Sequence, residues 1–246
     1  LLYLVSIYKY IMQVPQYDET RSSLFNEILA AGKARYPNEH PWQQLFVEGK
    51  LSQDQLKVWA QNRYYFHAGI PAKDANVFCK LPNDKDAQGM WLEKLQEEMG
   101  DDEEQSHPSM FLDFCAGLGL SNDDVINAEV FAPIRIAVDG YRDACRVKPF
   151  QFGVGASISE YTVPFKMNRM LKAFREHYSF IPDKALHFFE AHKEADEVHG
   201  NIMINLIEKY GKTDADKVLL QEGYMFKLDL HRIILDTVHY ETVLKQ

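Results

Sequence analysis

Ser52-Gln53-Asp54-Gln55-Leu56-Lys57-Val58-Trp59-Ala60-Gln61-Asn62-Arg63-Tyr64-Tyr65 begins with a Ser followed three residues later by a Gln, and apolar residues then return at helical intervals. A Ser-x-x-Gln start is a capping box. The hydroxyl takes an N–H of the first turn and the Gln reaches back to the cap, so two orphan donors are satisfied at once. Leu56, Trp59 and Tyr64 continue as one buried stripe, and Leu24, Ile28 and Leu29 repeat the pattern upstream. Runs that alternate apolar and polar residues, as a half-buried strand requires, are nearly absent. The chain therefore reads as all-α.

Breakers divide it into about seven or eight helices. Ser22 caps the first, which stops before Tyr36-Pro37. Pro71 predicts a kink or an end in the helix opened by Ser52. Further helices are expected over roughly Asp86 to Met99, from His107-Pro108 to near Gly117, and briefly from Ser121. Pro133 to Arg146, Phe152 to Tyr178, Pro182 to Tyr210 and Asp214 to Leu244 complete the set. No Gly/Ser/Pro-rich stretch interrupts the pattern, which predicts one domain over 1–246. Leu1 to Ile11 is apolar but carries Lys9, lacks a basic n-region and a small-residue cleavage site, and is too short to cross a bilayer. Residues 1–20 read as a docking or extension segment, and no membrane partner is expected.

The chain has 246 residues, 46% hydrophobic and 13% aromatic, with a formal net charge of -9. That composition folds. An acidic chain without a Lys/Arg run is poorly suited to replacing counterions around phosphates, so nucleic acid is not an expected partner. Cys79, Cys115 and Cys145 are odd in number and far apart, unlike a disulfide framework or a zinc knuckle. They suit a reducing cytoplasm.

The sharpest chemical signal is His192-x-x-x-Asp196-x-x-His199, in the helix that begins near Pro182 and Asp183. At 3.6 residues per turn the three fall within an arc of roughly 60°. Two imidazoles and a carboxylate form a mixed N/O set that suits iron, manganese or zinc better than copper(I). A three-ligand face needs a partner helix, as in carboxylate-bridged dimetal bundles. Glu160 is one candidate, because it ends the otherwise uncharged run Phe152 to Ser159 and would be costly to bury alone. Pro164 cannot donate to the Glu160 carbonyl, so that turn should be distorted. Glu97 and His107 flank an acidic loop and form a second candidate pair, with Glu98 and Glu104 as competing carboxylates. Lys193, Glu194 and Glu197 read as a solvated face. His40, His67, His187, His231 and His239 have no comparable partner sets and read as structural or surface residues.

Trp59-Ala60-Gln61-Asn62-Arg63-Tyr64-Tyr65-Phe66-His67-Ala68-Gly69-Ile70-Pro71-Ala72-Lys73-Asp74 closely resembles a helix of the pyrroloquinoline quinone synthase and TenA-like proteins of the heme-oxygenase-like fold. Val138-Asp139-Gly140-Tyr141 and Phe226-Lys227-Leu228-Asp229 match as well, and the resemblance runs from about His40 to Thr237. It implies a heme-oxygenase-like bundle whose cavity is lined by Arg63, Tyr141 and Lys227. The ligand pattern resembles another branch, the chlamydial death-domain-associating protein and related dimetal oxidases. That resemblance implies Glu97, His107, Glu160, His192, Asp196 and His199 as metal ligands. The synthase group, which looks cofactor-free, has a Gln at the position of His192 and an active-site His at that of Met167. The chlamydial relative's consumed tyrosine aligns with Gln43 and its lysine with Met170, so self-sacrificing p-aminobenzoate synthesis is not expected.

The resulting expectation is a dioxygen-dependent oxidase holding two iron ions, with manganese or a mixed Fe/Mn pair as options. It would oxidise a small organic molecule, as a homodimer, with electrons from the substrate or an external reductase. A lone Gly153-x-Gly155 is too weak to mark a nucleotide site. Tyr64, Tyr65, Phe66 and Tyr141 predict an aromatic lining, with Arg63, Lys73 or Lys227 for a carboxylate. The rivals are a cofactor-free synthase-like oxidase, a TenA-like hydrolase and a non-enzymatic interaction protein.

Overall fold

The structure is a computed structural model that describes residues 21–36, 40–101 and 105–245, and for 193–201 the backbone alone. The expected docking segment within 1–20 and the side chains of Glu104, Asp196 and His199 lie outside the described residues. Eleven α-helices follow one another, with no strand among the described residues. They are α1 (Ser23–Gly32), α2 (Pro41–Val47), α3 (Gln53–Phe78), α4 (Lys85–Met99), α5 (His107–Gly117), α6 (Asn122–Ile126), α7 (Ala132–Val147), α8 (Phe150–Ser157), α9 (Val163–His177), α10 (His187–Tyr210) and α11 (Asp214–His239).

Local chemistry sets the helix starts. Ser22 accepts from the Phe25 N–H, and Ser52 with Gln55 closes the capping box expected from the sequence. Ser121 with Asp124 and Thr213 with Asp216 close two more. The long helix does not end at Pro71 but runs on to Phe78. One missing N–H is tolerable where packing holds both flanks, and Ile70 and Val77 are buried on either side.

The helix expected over Phe152 to Tyr178 is broken. A 3-10 turn over Ile158–Thr162 separates α8 from α9, and Pro164 sits in the first turn of α9. The Val163 N–H reaches the Glu160 carbonyl instead, which replaces the bond that Pro164 cannot make. Likewise a 3-10 turn over Asp183–Leu186 precedes α10. The break between α8 and α9, with the short α2, accounts for the helices beyond those the breakers indicate.

Glycines let α8 and α11 touch. A Cβ on Gly155 would lie 2.0 Å from the Leu220 carbonyl oxygen, and one on Gly223 would lie 2.0 Å from the Phe152 oxygen. Only a hydrogen fits at either place, so Gly153-x-Gly155 serves packing. The aromatic rings of Trp42, Trp59, Phe46, Phe114, Phe174 and Phe189 form part of one continuous buried core. No described helix is long and apolar enough to cross a membrane.

Candidate active site

The long central helix α3 carries Trp59, Arg63, Phe66, His67 and Ile70 on one stripe, and these line a cavity with about 960 Å³ of unfilled space, its mouth included. Glu98, His107, Glu160, His192, Lys166, Lys227 and His231 supply the titratable groups of its other walls.

One part of the lining is built of carboxylates and imidazoles. The His107 and His192 rings stand 4.2 Å apart, centroid to centroid. His192 Nδ1 is 2.8 Å from the Phe188 carbonyl, an acceptor only, so Nδ1 carries the proton and Nε2 holds the lone pair. Glu98 Oε2 lies 3.0 Å from His107 Nδ1. Burial pushes the Glu98 carboxyl upward, but the contact with His107 and the positive charge of Lys94 outweigh it and hold the group well below the usual range. Glu160, on the distorted turn, has Oε1 3.2 Å from Lys94 Nζ. Its Oε2 is buried without a hydrogen-bond partner among the described residues.

The cavity thus receives Glu98 from α4, whereas Glu97, the residue singled out by the ligand pattern, is half-buried and not part of the lining. One residue is a rotation of about 100° on a helix, enough to move a side chain off the wall. The backbone of α10 is helical through 193–201, so Asp196 and His199 stand about one and two turns beyond His192 on that face. Among the described residues no three His, Cys, Asp or Glu converge on one metal position. The donors fit iron in kind, and the partnerless Glu160 oxygen is the sort of atom a cation would satisfy.

The other part of the lining is cationic. Arg63 bonds His67 Nε2 at 3.2 Å and lies 2.9 Å from His231 Nδ1. Burial lowers Arg63 to about 9. Burial, then the charge of Arg63, keeps His67 and His231 neutral, well below the ordinary histidine value. Burial and Arg63 also lower Lys166 to about 7, and burial depresses Lys227 strongly. The Lys227 ammonium lies 4.3 Å from the Phe66 ring centre and 4.7 Å from that of Tyr141. No described carboxylate is within ion-pairing distance of Arg63, Lys166 or Lys227.

Several expectations need correction. Tyr141 is buried behind Lys227 rather than on the lining, its hydroxyl has no partner among the described residues, and burial raises it well above the ordinary tyrosine value. Of the four aromatics expected to line the cavity, Phe66 does so; Tyr65 instead donates to Asp139. Lys73 is unavailable to a ligand, being locked to Asp74 and Ser157. His67 and His231, read as structural, belong to the lining; the Arg63/His67 spacing of one turn was the available signal. His40 is structural, capping α2 and pairing with Asp236.

Residues 57–230 match the family described as iron-containing redox enzymes. The pyrroloquinoline-quinone synthase of Acidiphilium cryptum is 29% identical over 215 residues, which are 87% of this chain and 87% of the synthase. A domain of unknown function with a heme oxygenase-like fold from Shewanella denitrificans aligns at a TM-score of 0.78 with 19% identity, covering 94% of this chain and 95% of its own. A TenA homolog from Pseudomonas syringae aligns at 0.73 with 11% identity, covering 91% of this chain and 96% of its own. Such identities speak for the fold alone. The heme-oxygenase-like fold expected from the sequence is the fold of this chain.

Proposed function

The chain belongs to the iron-containing redox enzymes, and from that premise we propose that it is a metal-dependent oxidase that uses dioxygen to oxidise a small organic anion. Its class as an oxidoreductase follows from the family. The observation that carries the finer reading is that His107, His192, Glu98 and Glu160 all line a cavity that is otherwise cationic and aromatic. With Asp196 and His199 these make six donors, enough for two iron ions, with Glu98 in the place given to Glu97 by the sequence pattern. Bound iron would supply the one-electron steps that reaction with dioxygen requires.

The protein's own share is orientation and charge. The Phe188 carbonyl fixes the His192 tautomer and turns Nε2 outward from that bond. Glu98 holds His107 Nδ1. Arg63, Lys166 and Lys227 draw in an anionic substrate and hold it among Phe66, Phe111 and Phe188, which keep bulk water from the reacting carbon. His67 and His231, kept neutral, turn their basic nitrogens to Arg63 and hold the guanidinium in place.

A second reading is oxidation without a metal, on the pattern implied by the synthase resemblance. Several curated relatives are named pyrroloquinoline-quinone synthases, and Lys94 already neutralises part of the carboxylate wall. Oxygen uptake separates the two. The metal reading expects consumption, with a small aromatic carboxylate or amino acid as substrate, only after anaerobic loading with Fe(II). Uptake that is unaltered by chelation and by His192→Ala favours the second.

A further inference from the structure

Lys94 stands on α4 one turn before Glu98, with none of its side chain exposed. Its Nζ is 2.9 Å from Asp74 Oδ2, 3.2 Å from Glu160 Oε1 and 3.8 Å from Glu98 Oε1. Asp74 is equally buried and turns its other oxygen to Lys73 Nζ at 2.6 Å, which also reaches Ser157 Oγ at 3.1 Å. The ammonium is therefore anchored from behind by a closed polar network, while its front is divided between two carboxylates of the cavity wall.

Two buried ammoniums, Lys73 and Lys94, face three carboxylates, Asp74, Glu98 and Glu160, so one negative charge is left over. The excess negative charge lies on Glu98 and Glu160, the residues offered above as metal donors. Carboxylates gathered out of water repel one another and take up protons or turn away unless a cation meets them. A lysine fixed at this point performs that service without a metal.

We propose that Lys94 is a positioning residue that stands in for metal charge. It holds Glu98 and Glu160 in place in the metal-free protein, and it weakens metal binding because the incoming cation shares carboxylates with an ammonium. The inference rests on the metal reading above. It has a consequence that a merely structural lysine lacks: removing Lys94 makes folding dependent on metal.

The test is thermal melting and calorimetric titration of the full chain with Mn(II), which is stable in air, for the wild type and Lys94→Met. The variant is expected to melt well below the wild type without metal. Mn(II) should raise its melting temperature by more than it raises the wild type's, and should bind the variant about tenfold or more tightly, because one buried positive charge has been removed from beside the ion. An equal or smaller Mn(II) shift in the variant overturns the proposal while leaving the metal reading intact. Should Lys94→Met fail to accumulate as soluble protein, expression with and without added Mn(II) decides: rescue by Mn(II) supports the proposal, and failure in both conditions overturns it. A wild type that binds no Mn(II) removes the metal reading and this inference together.

Discussion

On the cavity wall supplied by α4, α5 and the turn after α8, the charges are matched: Glu98 meets His107, and Glu160 and Glu98 share Lys94. On the wall supplied by α3, α9 and α11 they are not, for Arg63, Lys166 and Lys227 meet neutral imidazoles, rings and open space. A buried cation without a counter-ion is costly, and one that persists is most simply accounted for by a ligand that completes it. The first wall has its charges met before anything binds; the second is held in a less stable state that a bound anion would relieve.

The difference is broken most severely at His192. His192→Ala should lower iron affinity by at least about 100-fold, since even residues that only orient ligands cost 10- to 100-fold; anaerobic titration with Fe(II) measures it. On the other wall, Arg63→Met should weaken binding of a small aromatic dicarboxylate by roughly 10- to 100-fold, the worth of one charge-assisted hydrogen bond, with little loss of metal. Calorimetry with that probe distinguishes the two walls by which ligand each variant loses.

Much of this architecture was legible in the sequence because it is local. Ser22 and Ser52 announce their helices within four residues, and Pro164 announces the broken turn that carries Glu160. His192 stood out as a candidate because its candidate partners lie on the same helix, and it lines the cavity. What was hidden depends on register between distant segments. Whether Glu97 or Glu98 faces inward is decided by how α4 packs on α5 and α3. Arg63 meets His231 across 168 positions. Nothing local in the sequence marks Lys94, whose partners Asp74 and Glu160 lie 20 and 66 positions away.

Smaller effects sharpen the contrast. Lys166 has its value lowered from 10.5 to about 7 by burial and Arg63. Between those values the unfolded chain holds the proton and the folded chain does not, so unfolding takes up a proton and stability rises with pH across that window. Below about 7 both states are charged and the penalty is complete. Lys166→Met should flatten the rise, as melting temperatures measured from pH 6.5 to 10 will tell. Smallest of all is the difference between neighbours: Glu98→Gln should weaken iron binding more than Glu97→Gln, and the reverse order would return the ligand role to Glu97.

The most direct test of the matched wall as a metal centre is a count of iron. Protein loaded anaerobically with Fe(II), freed of excess by gel filtration and analysed for metal and protein should hold close to two iron ions per chain, and His192→Ala should hold far less. Fewer than one iron per chain in the wild type, with His192→Ala indistinguishable from it, would contradict the account.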